Sequence, residues 1–363
     1  MHKVQRMMPV WRCSILLVNE VVRISLELWE KKHMDTFSVA VLSAQKNGPY
    51  TFSRETTLNT LILRSVNAFF ESTQKGGINF TNDGDTPEIV INVDKKMVTN
   101  LGMMTTEPPS KFKLFSWNID GLSEHNLKIR TKAVCKTIQF EKPDIIFLQE
   151  VIPETLNYIK DKLPEYVCIA GNTEGYFVAT FLRRFTVYYD SHRVVEFPSS
   201  LMMRNYIAAE AHIGPLNLLL INTHLESTAD HVAERINQLK RIFQEMLTCP
   251  EEKVVICGGD LNLREKDLTA AGGLPPGVDD LWISCGSRKT CQYTWDMLRN
   301  TNVEFPGKYK PRFRFDRLYL RNSHQKSVVP QFFGLVGIEK VTRTQSYPSD
   351  HWGIQVHFTI EKR

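Results

Sequence analysis

From residue 111 onward, short apolar runs alternate with longer amphipathic stretches, and this alternation limits the possible folds more than any other feature of the sequence. The runs are rich in β-branched and aromatic residues, which is typical of strands. The stretch 231–247 between two of them carries apolar residues every three or four positions, which predicts a helix covering a sheet. A mixed α/β domain follows. The predicted strands are 112–117, 144–149, 176–182, 216–223, 253–257, 315–320 and 352–358.

Polar residues follow five of these runs directly, at 116–122, 149–151, 223–227, 259–264 and 349–353. Side chains at strand ends on a rigid sheet are where an α/β scaffold builds its site. Each one alone could be a turn residue or a surface partner of a lysine. Together they predict one functional site.

The residue types in these segments favour phosphate chemistry with a hard metal ion. Glu150 and Asp260, with Asp120 or Asp350, supply the oxygen ligands that Mg²⁺ prefers. Amide and imidazole groups nearby suit the oxygens of a phosphate in its transition state. These donors are Asn118, Asn262, His224 and His351.

Composition excludes several classes of protein. The chain has 363 residues, a net charge of +5 and 42% hydrophobic residues, which is ordinary for a globular protein and too balanced for a polycation held to nucleic acid by bulk charge. Its seven cysteines lack any Cys-x-x-Cys pair, so we expect neither a disulfide framework nor a zinc site. The early apolar run 13–18 is too short for a signal peptide or a membrane span, which favours an intracellular, soluble protein without a membrane partner.

The first 110 residues differ from the rest. Apolar residues in 21–29 and 57–70 recur at mixed three- and four-residue spacing, which predicts a small helical region over 1–75. The following stretch, 76–110, is rich in Gly, Pro, Asn and Asp and is predicted to be a linker. The domain with the polar strand ends is then 111–363.

The ordered motifs resemble those of the endonuclease/exonuclease/phosphatase superfamily over essentially all of 111–363. They are Trp-Asn-x-Asp-Gly at 117–121, Leu-Gln-Glu at 148–150, His-Leu-Glu-Ser at 224–227, Gly-Asp-x-Asn at 259–262 and Ser-Asp-His at 349–351. Longer matches, such as Glu-Gly-Tyr-Phe at 174–177, Met-Met-Arg-Asn at 202–205 and Gln-Tyr-Thr-Trp-Asp at 292–296, resemble the branch that releases topoisomerase II tyrosine from DNA 5′ ends. The resemblance implies a two-sheet β-sandwich flanked by helices, with the site at one edge.

The resemblance also implies roles. Glu150 would hold Mg²⁺, with Mn²⁺ as an alternative ion, and Asp120 would lie near the metal through water. Asp260 would orient and deprotonate the attacking water, and His351, steadied by Asp350 at its other ring nitrogen, would stabilise charge on phosphorus. Phosphate oxygens would be bound by Asn118, His224, Ser227 and Asn262. The channel for the DNA 5′ end would be lined by Tyr176, Arg204, Arg264, Trp295, Phe313 and Phe315.

A run of cations and aromatic rings at 308–321 adds a feature typical of a single-stranded nucleic-acid groove. The alternative interpretation is an amphipathic strand with a solvated basic face. The implied function is Mg²⁺-dependent hydrolysis of 5′-phosphotyrosyl bonds between topoisomerase II and DNA ends in double-strand break repair, in the nucleus with some protein in the cytoplasm. The alternatives are an apurinic endonuclease or another phosphodiesterase of the superfamily, and an adaptor that binds ubiquitin or signalling proteins. Ubiquitin is named because Ser65 to Glu71 resembles part of a ubiquitin-associated domain.

Overall fold

The computed structural model describes residues 10–18, 21–29, 34–40, 50–52, 77–81, 88–92, 109–304 and 308–361. The chain divides into two compact units, Met1–Glu107 and Pro108–Arg363. No helix in the described ranges has the length and apolar character needed to cross a membrane.

The described part of the first unit consists of strands. Strands β1 (Val10–Val18), β2 (Val21–Trp29) and β3 (Met34–Ala40) form an antiparallel sheet in that order. Strands β4 (Tyr50–Phe52), β5 (Gly77–Thr81) and β6 (Glu88–Asn92) form a second antiparallel sheet in the order β4-β6-β5.

Two sequence predictions in this unit are wrong. The stretch 21–29 is a strand and not a helix, because positions 22, 24, 26 and 28 are apolar and alternate with polar ones, a period of two. The predicted linker contains β5 and β6, whose β-branched and aromatic residues outweigh the turn residues around them. The predicted helix at 57–70, with the ubiquitin-associated resemblance, lies outside the described residues.

The second unit contains two six-stranded mixed sheets. The first has the order β19-β20-β7-β8-β10-β9 and the second the order β11-β12-β13-β14-β18-β15, while β16 and β17 form a separate two-stranded ribbon. The bounds are β7 Lys111–Asn118, β8 Ile145–Val151, β9 Tyr166–Ala170, β10 Phe177–Arg183, β11 Tyr188–Glu196, β12 Asn205–Ile213, β13 Leu216–His224, β14 Val254–Asp260, β15 Val278–Asp280, β16 Trp295–Asp296, β17 Arg312–Phe313, β18 Asp316–Arg321, β19 Val328–Val336 and β20 Gly353–Ile360.

Helices cover the outer faces of the two sheets. Side chains of α1 (Leu127–Glu141) and α2 (Pro153–Lys162) join the core cluster of the first sheet, and α3 (Val232–Thr248) joins that of the second. A third cluster, with Phe147 and Leu220 fully buried, fills the space between the sheets. The shorter helices are α4 (Glu265–Ala270) and α5 (Leu281–Ser284), followed by a 3₁₀ turn at Lys289–Cys291. The predicted sandwich flanked by helices is confirmed.

All seven predicted strands and the helix at 231–247 are confirmed within a few residues. Several of the strands that the sequence pattern missed are short, exposed or poor in β-branched residues. Strand β11 is exposed along most of its length, and β12 carries three alanines. Such strands form because their neighbours pair with them and not because of intrinsic propensity.

Strand direction brings the polar ends to one edge. Strands β7 and β8 run parallel, as do β13 and β14, so these four end on the same side. Their antiparallel neighbours β20, β10, β12 and β18 begin there. These eight strand termini, four from each sheet, therefore lie at one edge of the sandwich.

Candidate active site

The strand termini at this edge face each other in pairs across the sandwich. Three of the four pairs are joined by a direct contact between side chains, and the fourth holds ligand atoms within 4.8 Å of one another. From β18 to β12 the pairs are Asp316 with His351, Asp260 with Asn118, His224 with Glu150, and Arg204 with Tyr176. The pairs form a row across the edge, and Asp260 stands near its middle.

Asp260 is the hub of the hydrogen bonds. Its Oδ2 accepts from Asn118 Nδ2 at 3.0 Å, and the Nε2 atoms of His224 and His351 lie 3.3 Å and 3.7 Å from the same oxygen. Its Oδ1 accepts from the backbone N–H of Asn262 at 3.0 Å. Burial raises the pKa of Asp260, but the two imidazoles and these hydrogen bonds outweigh burial and hold it well below its usual range. Asp260 is therefore an ionised acceptor, suited to orienting a water molecule.

His224 is held neutral. Arg204 Nη1 lies 2.9 Å from His224 Nδ1, and because the guanidinium can only donate, Nδ1 is the acceptor and Nε2 carries the proton. Burial lowers the pKa of His224 to about 4, and the charge of Arg204 contributes in the same direction. The Arg204 guanidinium also stacks on the Tyr176 ring at 4.9 Å. His224 can therefore donate one hydrogen bond from Nε2 but carries no charge.

His351 is held protonated, and its partner differs from the prediction. Its Nδ1 lies 2.8 Å from Asp316 Oδ2, whereas Asp350 accepts a hydrogen bond from Trp295 Nε1 at 3.1 Å. The prediction that Asp350 steadies the ring is wrong, because the partner comes from the facing sheet. Burial lowers the pKa of His351, but Asp316, Asp260 and Asp350 together raise it well above 6.5. Sequence reasoning missed Asp316, whose one signal was an isolated acid in the basic run 308–321.

Asp120, Glu150 and Asp350 form a group of carboxylates beside this hub. Burial, and next the charge of Asp350, raises the pKa of both Asp120 and Glu150 to about 7. Arg130 forms an ion pair with Asp120 at 3.0 Å and offsets part of the repulsion. Excess negative charge on oxygen donors is the setting that fits a hard divalent cation. The ligand atoms of Glu150, His224 and Asp260 lie within 4.8 Å of one another, and Glu150 is the member not already engaged in the His224–Asp260 contact.

Backbone geometry marks the same residues. Asp120, Glu150 and Asn262 have φ values of 51°, 52° and 51°, in the left-handed region that non-glycine residues rarely adopt. Gly121 permits the close approach of the two loops, since a Cβ there would lie 2.1 Å from the Glu150 carbonyl oxygen. Such strain persists only where surrounding contacts determine the conformation, and it clusters at functional sites.

Arg130 is a second residue that sequence reasoning missed. Its buried guanidinium donates to the backbone carbonyls of Asp120 at 2.9 Å, Ser123 at 2.6 Å and His125 at 2.9 Å. It thereby holds the loop between β7 and α1 that carries Asp120. The available signal was an arginine four and eight positions before the apolar Val134 and Ile138, on the face that they share in the helix.

The predicted phosphate-binding side chains Asn262 and Ser227 lie on the loops after β14 and β13. Asn262 Nδ2 donates to the Leu225 carbonyl at 3.2 Å, and the half-buried Ser227 hydroxyl donates to Met202 Sδ at 3.2 Å. Their hydrogen bonds hold both loops next to Asp260 and Arg204. The structure thus places these residues at the site, and their roles toward phosphate stay predictions.

Three stacked rings form an aromatic wall at the β18 end of the row. Phe313 and Phe315 stack with ring centroids 4.8 Å apart, and Trp295 lies 6.1 Å and 5.7 Å from them. Phe315 lies 6.5 Å from His351, so the wall continues from the hub. The guanidinium of Arg264 sits 5.1 Å above the Phe313 ring. Ring faces with a cation alongside suit unpaired bases.

The basic run that suggested a nucleic-acid groove is mostly structural. Arg314 forms an ion pair with Asp280 at 2.7 Å, and both Arg314 and Arg317 bind Glu265 at 3.1 Å. Both arginines are buried, as is Arg321, which donates to backbone carbonyls. For these three arginines the predicted grip on DNA is wrong, and so is the alternative of a solvated basic face. Arg317 and Arg321 lie on strand β18 inside the second sheet, and Arg314 directly precedes that strand and is buried with them.

Comparison with known proteins agrees with this architecture. A sequence profile of the endonuclease/exonuclease/phosphatase family matches residues 115–351, and the chain belongs to this family. The family's enzymes use divalent metals, in keeping with the carboxylate group described above.

Relatives of one kind stand out within the family. The chain is 41% identical to human tyrosyl-DNA phosphodiesterase 2 over 255 residues, 70% of each chain, and 42% identical to the Xenopus laevis protein over 70% of this chain and 68% of that one. Among solved structures, that of Danio rerio TDP2 complexed with single-strand DNA product is 38% identical, with a TM-score of 0.67, and covers 69% of this chain and 100% of that one. The TDP2 structure from Caenorhabditis elegans is 32% identical, with a TM-score of 0.64, over 73% of this chain and 81% of that one.

Proposed function

We propose that this chain hydrolyses the 5′-phosphotyrosyl bond that joins topoisomerase II to a DNA end, and so acts in double-strand break repair. The observation that carries the proposal is the aromatic wall of Trp295, Phe313 and Phe315 beside a centre built to bind phosphate. A strand end can stack its bases on that wall while its 5′ phosphate reaches Asp260 and the two histidines. The similarity to tyrosyl-DNA phosphodiesterase 2 from several vertebrates supports the same reaction.

The metal in this proposal is Mg²⁺, with Mn²⁺ as a substitute. Glu150 would hold it directly, and Asp120 would do so through water, since both carboxylates carry raised pKa values that a cation would relieve. When bound, the ion supplies charge for a phosphate oxygen and for the leaving oxygen.

The side chains of the hub supply the rest of the chemistry. Ionised Asp260 accepts a hydrogen bond from the attacking water and takes up its proton as the bond to phosphorus forms. In the proposed reaction, neutral His224 donates from Nε2 to a phosphate oxygen, and the side-chain amides of Asn118 and Asn262 and the hydroxyl of Ser227 donate to the phosphate as well. The protonated His351, held by Asp316, stabilises the negative charge that develops on the equatorial oxygens.

The leaving group explains why no strong general acid is required. A tyrosine phenol has a pKa of about 10 and departs as phenolate far more readily than a sugar alkoxide. Catalysis then depends on activating the water and on stabilising the charge of the phosphate, and the residues around Asp260 do both.

Under this proposal the substrate is a broken end of chromosomal DNA, so the enzyme acts mainly in the nucleus. Binding of ubiquitin through the first unit stays a separate prediction.

An apurinic endonuclease of the same family is the main alternative, and a catalytically silent adaptor is the alternative of another class. The adaptor is disfavoured because Glu150, Asp260 and His351 are all present and assembled. An endonuclease must hold an intact duplex on both sides of a lesion, which an aromatic wall does not favour.

The test compares two DNA substrates at equal enzyme and Mg²⁺: an oligonucleotide with a 5′-phosphotyrosine on an overhang, and a duplex with an internal abasic site. We expect efficient tyrosine release and little incision, with EDTA abolishing the release. Incision that matches or exceeds tyrosine release would assign the chain to the endonucleases, and absence of both reactions would favour the adaptor.

A variant of the aromatic wall provides a second test of the proposed function. Phe315→Ala should raise KM for the single-stranded substrate by roughly 5- to 150-fold, the equivalent of about 1–3 kcal/mol for one stacked base. Hydrolysis of a small nitrophenyl phosphotyrosine analogue should be spared. The matched control is Phe332→Ala. Phe332 lies on the edge strand β19, and its half-buried ring packs under the guanidinium of Arg288.

A further inference from the structure

The loop before β12 carries two large apolar side chains out into solvent beside the site. Leu201 is 78% exposed and Met203 is 73% exposed. The side chain between them, Met202, is half-buried and points the other way, where its sulfur accepts from Ser227 and lies 3.6 Å from Arg204 Nη2. The loop therefore has an inner surface that belongs to the site and an outer apolar surface next to it.

This outward orientation is held in place by buried polar contacts. Glu226 accepts hydrogen bonds from the Ser200 hydroxyl at 2.8 Å and from the backbone N–H groups of Leu201 at 2.9 Å and Met202 at 3.1 Å. Gln238 donates to the same carboxylate at 3.1 Å. Met203 sits at φ 54°, a conformation that an apolar residue adopts only when its surroundings require it. These contacts fix the backbone of the loop with both apolar side chains directed outward, so their surface is available to a ligand.

The order of strands shows which part of a substrate would reach this surface. Across the second sheet, the chain positions at the site run from Arg204 through His224 and Asp260 to Asp316. With strands about 4.8 Å apart, the loop at Arg204 and the aromatic wall at Phe315 lie roughly 14 Å from each other, on opposite sides of Asp260. A phosphodiester centred at Asp260 directs one substituent toward each side. The rings suit the bases, which leaves the other side to the tyrosine.

We infer that Leu201 and Met203 form a subsite for the polypeptide attached to the tyrosine, contacting apolar side chains next to it in the peptide. This inference rests on the proposed function. Leu201 and Met203 offer no ring face for a base and no charge for a phosphate, whereas aliphatic and thioether groups adapt to varied peptide side chains. The subsite continues the Tyr176–Arg204 end of the row, so a peptide leaving that end passes over it.

The test measures kcat/KM on three probes: an oligonucleotide with a single 5′-phosphotyrosine, the same oligonucleotide with a nine-residue peptide carrying leucines on both sides of that tyrosine, and the same peptide with serines there. The variant is L201N/M203N in the full chain, because asparagine tolerates the left-handed backbone at 203. The control is Phe185→Asn, 57% exposed in the turn after β10, at the far end of that strand from Tyr176.

We expect the variant to lose roughly five- to tenfold in kcat/KM on the leucine-flanked probe, as partial burial of two apolar side chains implies, and little on the other two. The control should resemble the unaltered chain on all three. Equal losses on the single-tyrosine and leucine-flanked probes would overturn the inference, because the loop would then serve the DNA or the fold. No loss on either would overturn it as well. Failure of the unaltered chain to release tyrosine from every probe would instead refute the proposed function.

Discussion

The carboxylates at this site have pKa values shifted in opposite directions because their nearest neighbours differ. Asp260 faces two imidazoles and an amide, which favour its charged form despite burial. Glu150 and Asp120 face Asp350 and burial, which raise their pKa to about 7. Environment and not residue type therefore separates the group that orients water from the groups that attract a cation.

The first prediction for a single residue concerns Glu150. Glu150→Gln replaces a carboxylate with an amide, a poorer ligand for a hard cation, and should lower activity at limiting Mg²⁺ by more than the roughly 10–100-fold typical of losing an outer partner of a metal ligand. Titrating activity against Mg²⁺ measures this. Glu154→Gln, which removes an exposed carboxylate near Lys128, serves as the control. An unaltered Mg²⁺ dependence in E150Q would contradict the metal assignment.

The second prediction concerns the proton on His351. Its pKa in the folded chain is raised above 6.5, so the stability from its pair with Asp316 is complete below pH 6.5 and is lost as pH rises through the raised value. Asp316→Asn removes the main partner, so burial lowers the pKa of His351 against only the remaining charges of Asp260 and Asp350. The alkaline limb of the kcat–pH profile should then move to lower pH.

Asp190→Asn provides a comparison for that profile, since it alters an exposed carboxylate 3.1 Å from His212, on strands β11 and β12 away from the hub. Its kcat–pH profile should match that of the unaltered chain. An alkaline limb that stays in place in D316N would show that His351 is not the group whose proton the reaction needs.

Strand β18 shows at the scale of elements how position within a sheet decides what a charged residue does. The arginines on and directly before this strand suggest a basic groove in the sequence, but the strand lies between β14 and β15, so Arg314 and Arg317 are buried in ion pairs. Arg264, on the loop before α4, is instead half-buried against Phe313 and remains beside the aromatic wall. Removal of Arg314 and removal of Arg264 should therefore have different effects.

Arg314→Ala should lower the free energy of unfolding by about 3–5 kcal/mol, because Asp280 would stay buried without its cation. Urea denaturation measures this. Arg264→Ala should leave the unfolding free energy nearly unchanged while weakening binding of a single-stranded oligonucleotide, measured by fluorescence anisotropy. If R314A were as stable as the unaltered chain and weakened only DNA binding, the basic run would be a DNA groove after all.

For the whole molecule, the division at Glu107 and Pro108 separates the described site from the first unit. Every residue assigned to the hub, the carboxylate group and the aromatic wall lies between Asn118 and His351, and the three core clusters lie within the second unit as well. A chain reduced to 108–363 is therefore predicted to fold on its own.

This shortened chain should keep kcat/KM for tyrosine release within about twofold of that of the full chain. The comparison uses the same 5′-phosphotyrosyl oligonucleotide, with circular dichroism as the check on folding. A large drop in activity in a folded 108–363 chain would mean that the first unit contributes to substrate binding.

Local patterns in the sequence determined the strands, the covering helix and the polar residues at the strand ends. A strand of period two or a buried run such as 216–223 is visible without its neighbours, and turn chemistry marks where it stops. The same pattern reasoning went wrong at 21–29, where the apolar residues have the period of two of a strand and not the spacing of a helix. It also missed β11 and β12, where pairing with adjacent strands decides the conformation.

Tertiary structure alone decided which side chains meet. The partner of His351 is Asp316 and not its neighbour Asp350, and Arg314 turns to Asp280, because these contacts depend on which strands face or adjoin each other across the sandwich. The exposure of Leu201 and Met203 likewise follows from the buried carboxylate of Glu226 beneath their loop. The spacing of apolar residues along the sequence determines whether a segment has the period of a helix or a strand. Burial and electrostatic contacts arise only once distant elements are packed together.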